Sequence, residues 1–212
     1  LSILAYEVEN SETCIRRGCV YNVEGTAFKI KRLIQKLETK LHGSKIGKVY
    51  VGIGGQSLRT IDHTVPKILG TEGVVTEEII QTLYRECQDY HPDMLDVLSI
   101  VSPVYYLDDK VEPDPVGIPC SRIEARYKLV VGRPSLRRYV SNSIADRAKV
   151  EIADIVVSPL ALADVILSDN EKDLGCALIG FGAGVTTLTV YKGGKLVNLS
   201  VIPFGGNLLT RD

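Results

Sequence analysis

Leu178 to Leu196 reads LIGFGAGVTTLTVYKGGKL. Two β-rich runs, Cys176 to Phe181 and Thr186 to Tyr191, flank Gly182-Ala183-Gly184, and Gly193-Gly194 makes the next tight turn. A glycine turn between strands lets backbone N–H groups approach a phosphate closely, because no Cβ blocks the path. The same pattern also serves turn geometry alone. The flanking sequence has to decide between the two.

Composition narrows the classes first. With 212 residues, the chain can hold one sizeable core or two small domains. An apolar fraction of 45% beside 24% charged residues is that of a globular protein and argues against disorder. A net charge of -1 gives no electrostatic reason to expect nucleic acid as a partner. The cysteines, Cys14, Cys19, Cys87, Cys120 and Cys176, lack the C-x-x-C spacing of a zinc or redox site and read as free thiols of a reducing compartment. His42, His63 and His91 are equally scattered. No apolar run approaches the ~20 residues of a membrane span, and the apolar start, Leu1 to Glu7, has no basic residues before it, unlike a secretory signal. The first residue is Leu, and the last follows a glycine turn, which suggests a fragment.

Along the chain, Ser2 to Val8 and Arg16 to Tyr21 read as strands. Val23, Ala27, Ile30, Leu33, Ile34, Leu37 and Leu41 follow helical spacing, with Asn22 as N-cap and Gly43 as the stop. Lys48 to Ile53 is a strand ending in Gly54-Gly55. A helix capped by Thr76 carries the stripe Ile79, Ile80, Leu83, Cys87. Strands follow over Asp96 to Leu107 and Arg122 to Val131. In the second, Ile123, Ala125, Tyr127, Leu129 and Val131 alternate with Arg122, Glu124, Arg126 and Lys128, the pattern of a half-solvated antiparallel strand. The proline-bearing connection from Asp108 to Ser121 is a stiff exposed loop. Helices over Ser135 to Arg147 and Pro159 to Leu167 bracket a strand at Ile152 to Val157.

The glycine hairpin resembles the second phosphate motif, D-x-G-x-G-T-T-D, of the superfamily of actin, Hsp70 and sugar kinases. Five further stretches, in order, resemble the FtsA family of bacterial actin-like cell-division proteins. RRGCVYNVEGTAFKIKRLI is similar to the family's R-G-x-V-x-[ND] stretch and helix, and VYVGIGGQSLR (Val49 to Arg59) to its V-Y-V-G-I-[AG]-G strand. PVGIPCSRIEARYKLVVG (Pro115 to Gly132) resembles a P-V-G-x-x-G-x-R-L-E-A strand peculiar to the group. VVSPLALADVIL (Val156 to Leu167) resembles its E-P-L-A-S helix, and VIPFGGNLLTRD its I-P-x-G-G-D-x-[IL]-T-x-D.

The resemblance implies an α/β, actin-like (ribonuclease H-like) fold with an inserted α+β module of the SHS2 type. Residues 1–62 with 143–170 would form subdomain 1A, residues 63–142 the inserted module 1C, and residues 171–212 the start of subdomain 2A. It implies a scaffold that polymerises at the membrane, anchors the FtsZ ring and recruits later division proteins through 1C. Its place would be the cytoplasmic face of the inner membrane at the division site. The FtsZ-binding subdomain and the C-terminal membrane anchor are expected beyond Asp212, and a first phosphate hairpin before Leu1. ATP with Mg²⁺ is the implied ligand of the full-length protein. Gly182, Ala183, Gly184, Val185, Thr186, Gly205 and Gly206 are the expected nucleotide contacts.

Four acidic positions of the superfamily are altered. Gly180 and Thr187 stand where the phosphate motif has its first and last aspartates, Ser158 replaces the helix-start glutamate, and Asn207 follows the double glycine in place of an acid. Phosphoryl transfer needs metal-assisted charge neutralisation and a positioned nucleophile, so the reading is a scaffold more than a working ATPase. The alternatives are an ATPase or sugar kinase of the superfamily, or a PilM-like pilus adaptor. An ATPase would keep an acid at one of those positions. The Pro115 strand argues against the adaptor.

Elsewhere, Glu77, Glu78, Arg85 and Glu86 read as a solvated helix face, and Arg137-Arg138 as exposed helical arginines. One of Tyr105 and Tyr106 is expected in the core. The strand Arg122 to Val131 is read either as a pairing edge or as a central strand.

Overall fold

The computed structural model describes residues 2–11, 13–71, 73–208 and 210. A short hairpin of two-residue strands, β1 (Ile15–Arg16) and β2 (Cys19–Val20), is the first regular secondary structure among the described residues, in place of the single strand expected over Arg16 to Tyr21. Arg17 and Gly18 form its turn with φ of 49° and 73°. Helix α1 (Val23–Lys40) follows, and the Asn22 side chain accepts a hydrogen bond from the Gly25 N–H at 2.9 Å. Strand β3 (Lys48–Ile53) pairs in parallel with β8 (Glu151–Val157).

A seven-stranded sheet forms the other layer. It is built from β4 (Arg59–Ile68), β5 (Asp96–Leu107), β6 (Lys110–Val111), β7 (Arg122–Gly132), β9 (Cys176–Phe181), β10 (Thr186–Lys192) and β11 (Lys195–Ile202). Their order is β6-β5-β7-β4-β11-β10-β9. Strand β4 spans positions 62 and 63 without a break, and it meets β11 through a single registered pair, Arg59 with Ser200. The Thr60 hydroxyl supports this seam by accepting from the Leu199 N–H at 3.2 Å.

Helix α2 (Glu77–Gln88), capped by the Thr76 hydroxyl, lies on the β4–β7–β5 part of the sheet. It buries Leu83 and Cys87 against Ile123, Ala125, Tyr127, Leu129 and Val131. Those five residues are the expected inward face of β7. The strand is central, between β5 and β4, so the edge reading does not hold. Nor is its other face solvated throughout: Glu124 is buried, and Val130 packs with Leu58, Leu136 and Leu199 in a second cluster. Tyr105 joins the core, while Tyr106 carries the Arg126 guanidinium 3.8 Å above its ring.

Helix α3 (Pro134–Ser141) passes directly into a π-helical turn over Asn142–Ala148, so the single helix expected over Ser135 to Arg147 changes its winding halfway. Lys149 ends it with φ of 61°. Ile144, Ala148 and Val150 then pack with Ile30 and Ile34 of α1 against Val49, Val51 and Ile152 of the parallel pair. Helices α4 (Ser158–Ile166) and α5 (Asp169–Leu174) lead into the glycine hairpin, α5 starting in a capping box of Ser168 and Glu171.

Residues 2–8 form no ladder, contrary to the strand expected there. Glu7 and Glu9 instead pair with Lys40, Lys36 and Arg32 of α1, which holds the segment by charge while Leu4, Tyr6 and Val8 face outward. Those lysine hydrogen bonds keep both carboxyls below their ordinary range.

Candidate functional site

The glycine turn after β9 is closed by the Gly182 N–H, which donates to the Val185 carbonyl at 3.0 Å. The loop after β11 is stitched onto it. Gly206 N–H donates to the Gly182 carbonyl at 2.9 Å, Asn207 N–H to the Ala183 carbonyl at 2.8 Å, and the Thr186 hydroxyl to the Phe204 carbonyl at 2.9 Å. Gly205 sits at the closest approach: a Cβ there would fall 2.6 Å from the Ala183 carbonyl atoms. Only glycine admits that contact. The two glycine segments expected to act together, Gly182 to Thr186 and Gly205-Gly206, are therefore one structural unit. Two of its amides, those of Gly182 and Gly206, already serve that unit.

Three further segments border the turn. The β1–β2 turn lies over Gly184, where a Cβ would meet the Arg17 Cα at 3.6 Å and Cγ at 3.8 Å. Its Gly18 presses on the end of β3, because a Cβ on Gly18 would lie 2.9 Å from the Gly55 nitrogen. The Arg17 guanidinium extends to Gln56, donating through Nη1 to Oε1 at 3.3 Å. Finally, α4 packs against the hairpin: its Leu162 lies 3.9 Å from where a Gly180 Cβ would be, and its Ser158 hydroxyl lies 2.7 Å from the Cβ position of Gly52.

Arg17, Gly18, Gly55 and Gln56 were not among the expected site residues. The available signal was the adjacency of Arg16, Arg17 and Gly18 in a short turn before a helix, which carries no periodicity to read.

The four altered acidic positions fall in this neighbourhood. Gly180 and Thr187 are direct cross-strand partners, and the Thr187 hydroxyl donates to the Gly180 carbonyl at 3.4 Å. Ser158 opens α4, and Asn207 lies in the stitched loop. Mg²⁺ is ordinarily held through one or two carboxylates together with water and phosphate oxygens. Among the described residues no cluster of three or more His, Cys, Asp or Glu side chains could hold a metal ion. A glycine, a threonine, a serine and an asparagine offer Mg²⁺ no carboxylate at these four positions. A separate groove of about 450 Å³, lined by Tyr105, Tyr106, Arg126 and Lys128 among others, lies away from the glycine turn.

No protein-family model matches the chain. It is 36% identical, over its whole length, to the cell division protein FtsA of Porphyromonas gingivalis, of which it covers 45%. It is 30% identical over 93% of its length to the FtsA of Neisseria meningitidis and covers 48% of that protein. For the FtsA of Bacillus subtilis the identity is 26%, with 93% of this chain and 45% of that one covered. The chain thus spans about half the length of the curated relatives it matches. Among solved structures it is similar to the PilM–PilN type IV pilus biogenesis complex, with a TM-score of 0.61, 17% identity, 94% of this chain and 54% of that chain covered. At that identity the likeness shows the fold alone, which is actin-like. By sequence the chain is a relative of FtsA along its whole length, and the pilus adaptor is a neighbour in fold only.

Proposed function

We propose that this chain is the nucleotide-cleft and partner-recruiting part of an actin-like division scaffold. The observation that carries the reading is the relation to FtsA along the entire chain. In this reading residues 1–62 with 143–170 act as subdomain 1A, residues 63–142 as the 1C module, and residues 171–212 as the start of 2A. The longer protein polymerises on the cytoplasmic face of the inner membrane, anchors the FtsZ ring through a region outside this chain, and recruits later division proteins through 1C. Its membrane contact also lies outside the chain. Among the described residues no helix is long and apolar enough to cross a membrane.

Gly182 to Thr186 with Gly205 and Gly206 form the phosphate side of the nucleotide cleft, and ATP acts as a structural ligand of the polymer. Neutral side chains at positions 158, 180, 187 and 207 support a scaffold over an ATPase or a sugar kinase, because neither metal binding nor water activation has a carboxylate there. Two measurements test the reading. A fluorescent fusion of the full-length protein should form a midcell band coincident with the division ring, and dispersed fluorescence overturns the division role. Purified full-length protein should show no substantial Mg²⁺-dependent ATP turnover, and substantial turnover overturns the scaffold.

A further inference from the structure

Arg17 stands out at the cleft because, among the described residues, no carboxylate forms an ion pair with it. Its neighbour Arg16 is engaged, with the guanidinium 4.3 Å over the Tyr21 ring. Arg17 places one of its five guanidinium donors on the neutral Gln56 side chain, and among the described residues no carboxylate pairs with it. Its backbone position is nonetheless tightly set. The turn needs φ of 49° at Arg17 and 73° at Gly18, the left-handed pair of a two-residue hairpin loop. Gly18 is wedged against the Gly55 amide on one side, and Arg17 itself rests on the Gly184 backbone on the other. The Arg17 backbone and Cγ therefore border the glycine turn, and its exposed guanidinium has the neutral Gln56 as its hydrogen-bond partner among the described residues.

Positions 158, 180, 187 and 207 of this chain bring no carboxylate to that turn. A polyphosphate still carries several negative charges that must be met on binding, and a planar guanidinium meets phosphate oxygens through two parallel N–H donors. We propose that this cleft takes a nucleoside triphosphate without a divalent cation, with the Arg17 guanidinium meeting the phosphate charge that a carboxylate-held metal would otherwise meet. The inference rests on the nucleotide reading above and specifies its ligand: the free polyphosphate anion in place of its magnesium complex. No bond is made or broken in this step. Arg17 exchanges its Gln56 contact for phosphate oxygens, and the glycine turn gives them room.

The test is a titration of the full-length protein with a fluorescent ATP analogue, run in excess EDTA and again in excess Mg²⁺. Equal or tighter binding in EDTA is expected. Arg17→Gln should weaken binding about tenfold, the loss of a charge-assisted pair, and Arg17→Lys should recover part of it. The EDTA comparison uses the unaltered protein, so it decides the question even if a variant folds poorly. Binding that requires Mg²⁺ and is indifferent to Arg17→Gln overturns the metal-free site but leaves the nucleotide reading standing. An analogue that binds under neither condition removes both.

Discussion

Thr187 stands directly across the β9–β10 ladder from Gly180, with its hydroxyl donating to the Gly180 carbonyl at 3.4 Å. A Cβ on Gly180 would run into that hydroxyl. The two alterations are thus sterically coupled: the bare position at 180 is the space in which the threonine side chain sits. Threonine branches at Cβ, so its few rotamers leave little freedom to clear the site.

Gly180→Asp alone should therefore destabilise the hairpin, by about 1–3 kcal/mol as an overpacked substitution, and should give no Mg²⁺-dependent nucleotide binding. Pairing it with Thr187→Ala should restore most of the stability. Only in the double variant can the new carboxylate turn toward the cleft and make binding respond to Mg²⁺. Denaturant unfolding and nucleotide titration with and without Mg²⁺ check both halves. Single-variant stability equal to the parent would show that Thr187 does not occupy the space.

Gly205→Ala probes the stitched loop. The added Cβ cannot coexist with the Ala183 carbonyl, so the loop must lift off the turn and release the Gly206 and Asn207 amides from their acceptors. Hydrogen exchange at those two amides should speed up markedly, with little change in the amides of the β10–β11 ladder. Unchanged protection at Gly206 and Asn207 would mean that the loop tolerates the methyl in place.

Much of this architecture was legible where a local cause acts alone. Asn22 and Thr76 cap the helices that their spacing announces, and Lys48–Ile53 and Asp96–Leu107 end where the β-rich runs end. The glycine hairpin was legible for the same reason. What escaped depends on distant partners. Strand β4 contains Pro66 and a mixed polar pattern, and it is a strand because β7 pairs with it over ten residues. The burial of Val130 requires Leu199 and Leu136 from elsewhere in the chain. Segment 2–8 has strand-like residues, but Glu7 and the following Glu9 pair with lysines on α1 and the segment joins no ladder. Arg17 escaped because a charged residue in a short turn looks alike in sequence whether or not its backbone lies against a glycine turn nearly 170 residues later.

The core under α2 predicts a pH response. Burial raises the Cys87 thiol from its ordinary 9.0 to about 11, and it also raises the neighbouring Tyr127 phenol. Both groups keep their protons in the folded state after the unfolded chain has lost them. The native state then binds more protons, and stability falls as pH rises. For Cys87 the contribution is complete below pH 9 and is lost toward pH 11. Thermal melts across that window should show a declining Tm in the parent and a shallower decline in Cys87→Ala. The Tyr127 hydroxyl is buried and has no hydrogen-bond partner among the described residues. Tyr127→Phe should leave stability at neutral pH unchanged or raise it by up to about 1 kcal/mol, since removing an unsatisfied polar group relieves its desolvation cost. A loss above that size would reveal a partner for the hydroxyl.

The seam between β4 and β11 predicts where the long sheet opens first. Ten paired positions join β4 to β7, whereas one pair, Arg59 with Ser200, joins β4 to β11. The Thr60 hydroxyl compensates by accepting from the Leu199 N–H at 3.2 Å and donating to the Asn198 side-chain oxygen at 3.1 Å. Thr60→Val keeps the shape and strand preference but removes both bonds and leaves the buried Leu199 amide without its acceptor. Exchange at Leu199 should then accelerate at least about tenfold, the effect of an opening made roughly 1.4 kcal/mol easier. Amides of the β4–β7 ladder should keep their protection. If both regions loosen together, the sheet opens as one unit and the seam is no weaker than the rest. If only Leu199 and its neighbours on β11 loosen, the hairpin that carries the glycine turn is joined to the rest of the sheet chiefly through one threonine. Movement of that hairpin against β4 would then shift Gly184 relative to Arg17, the two sides of the proposed phosphate site.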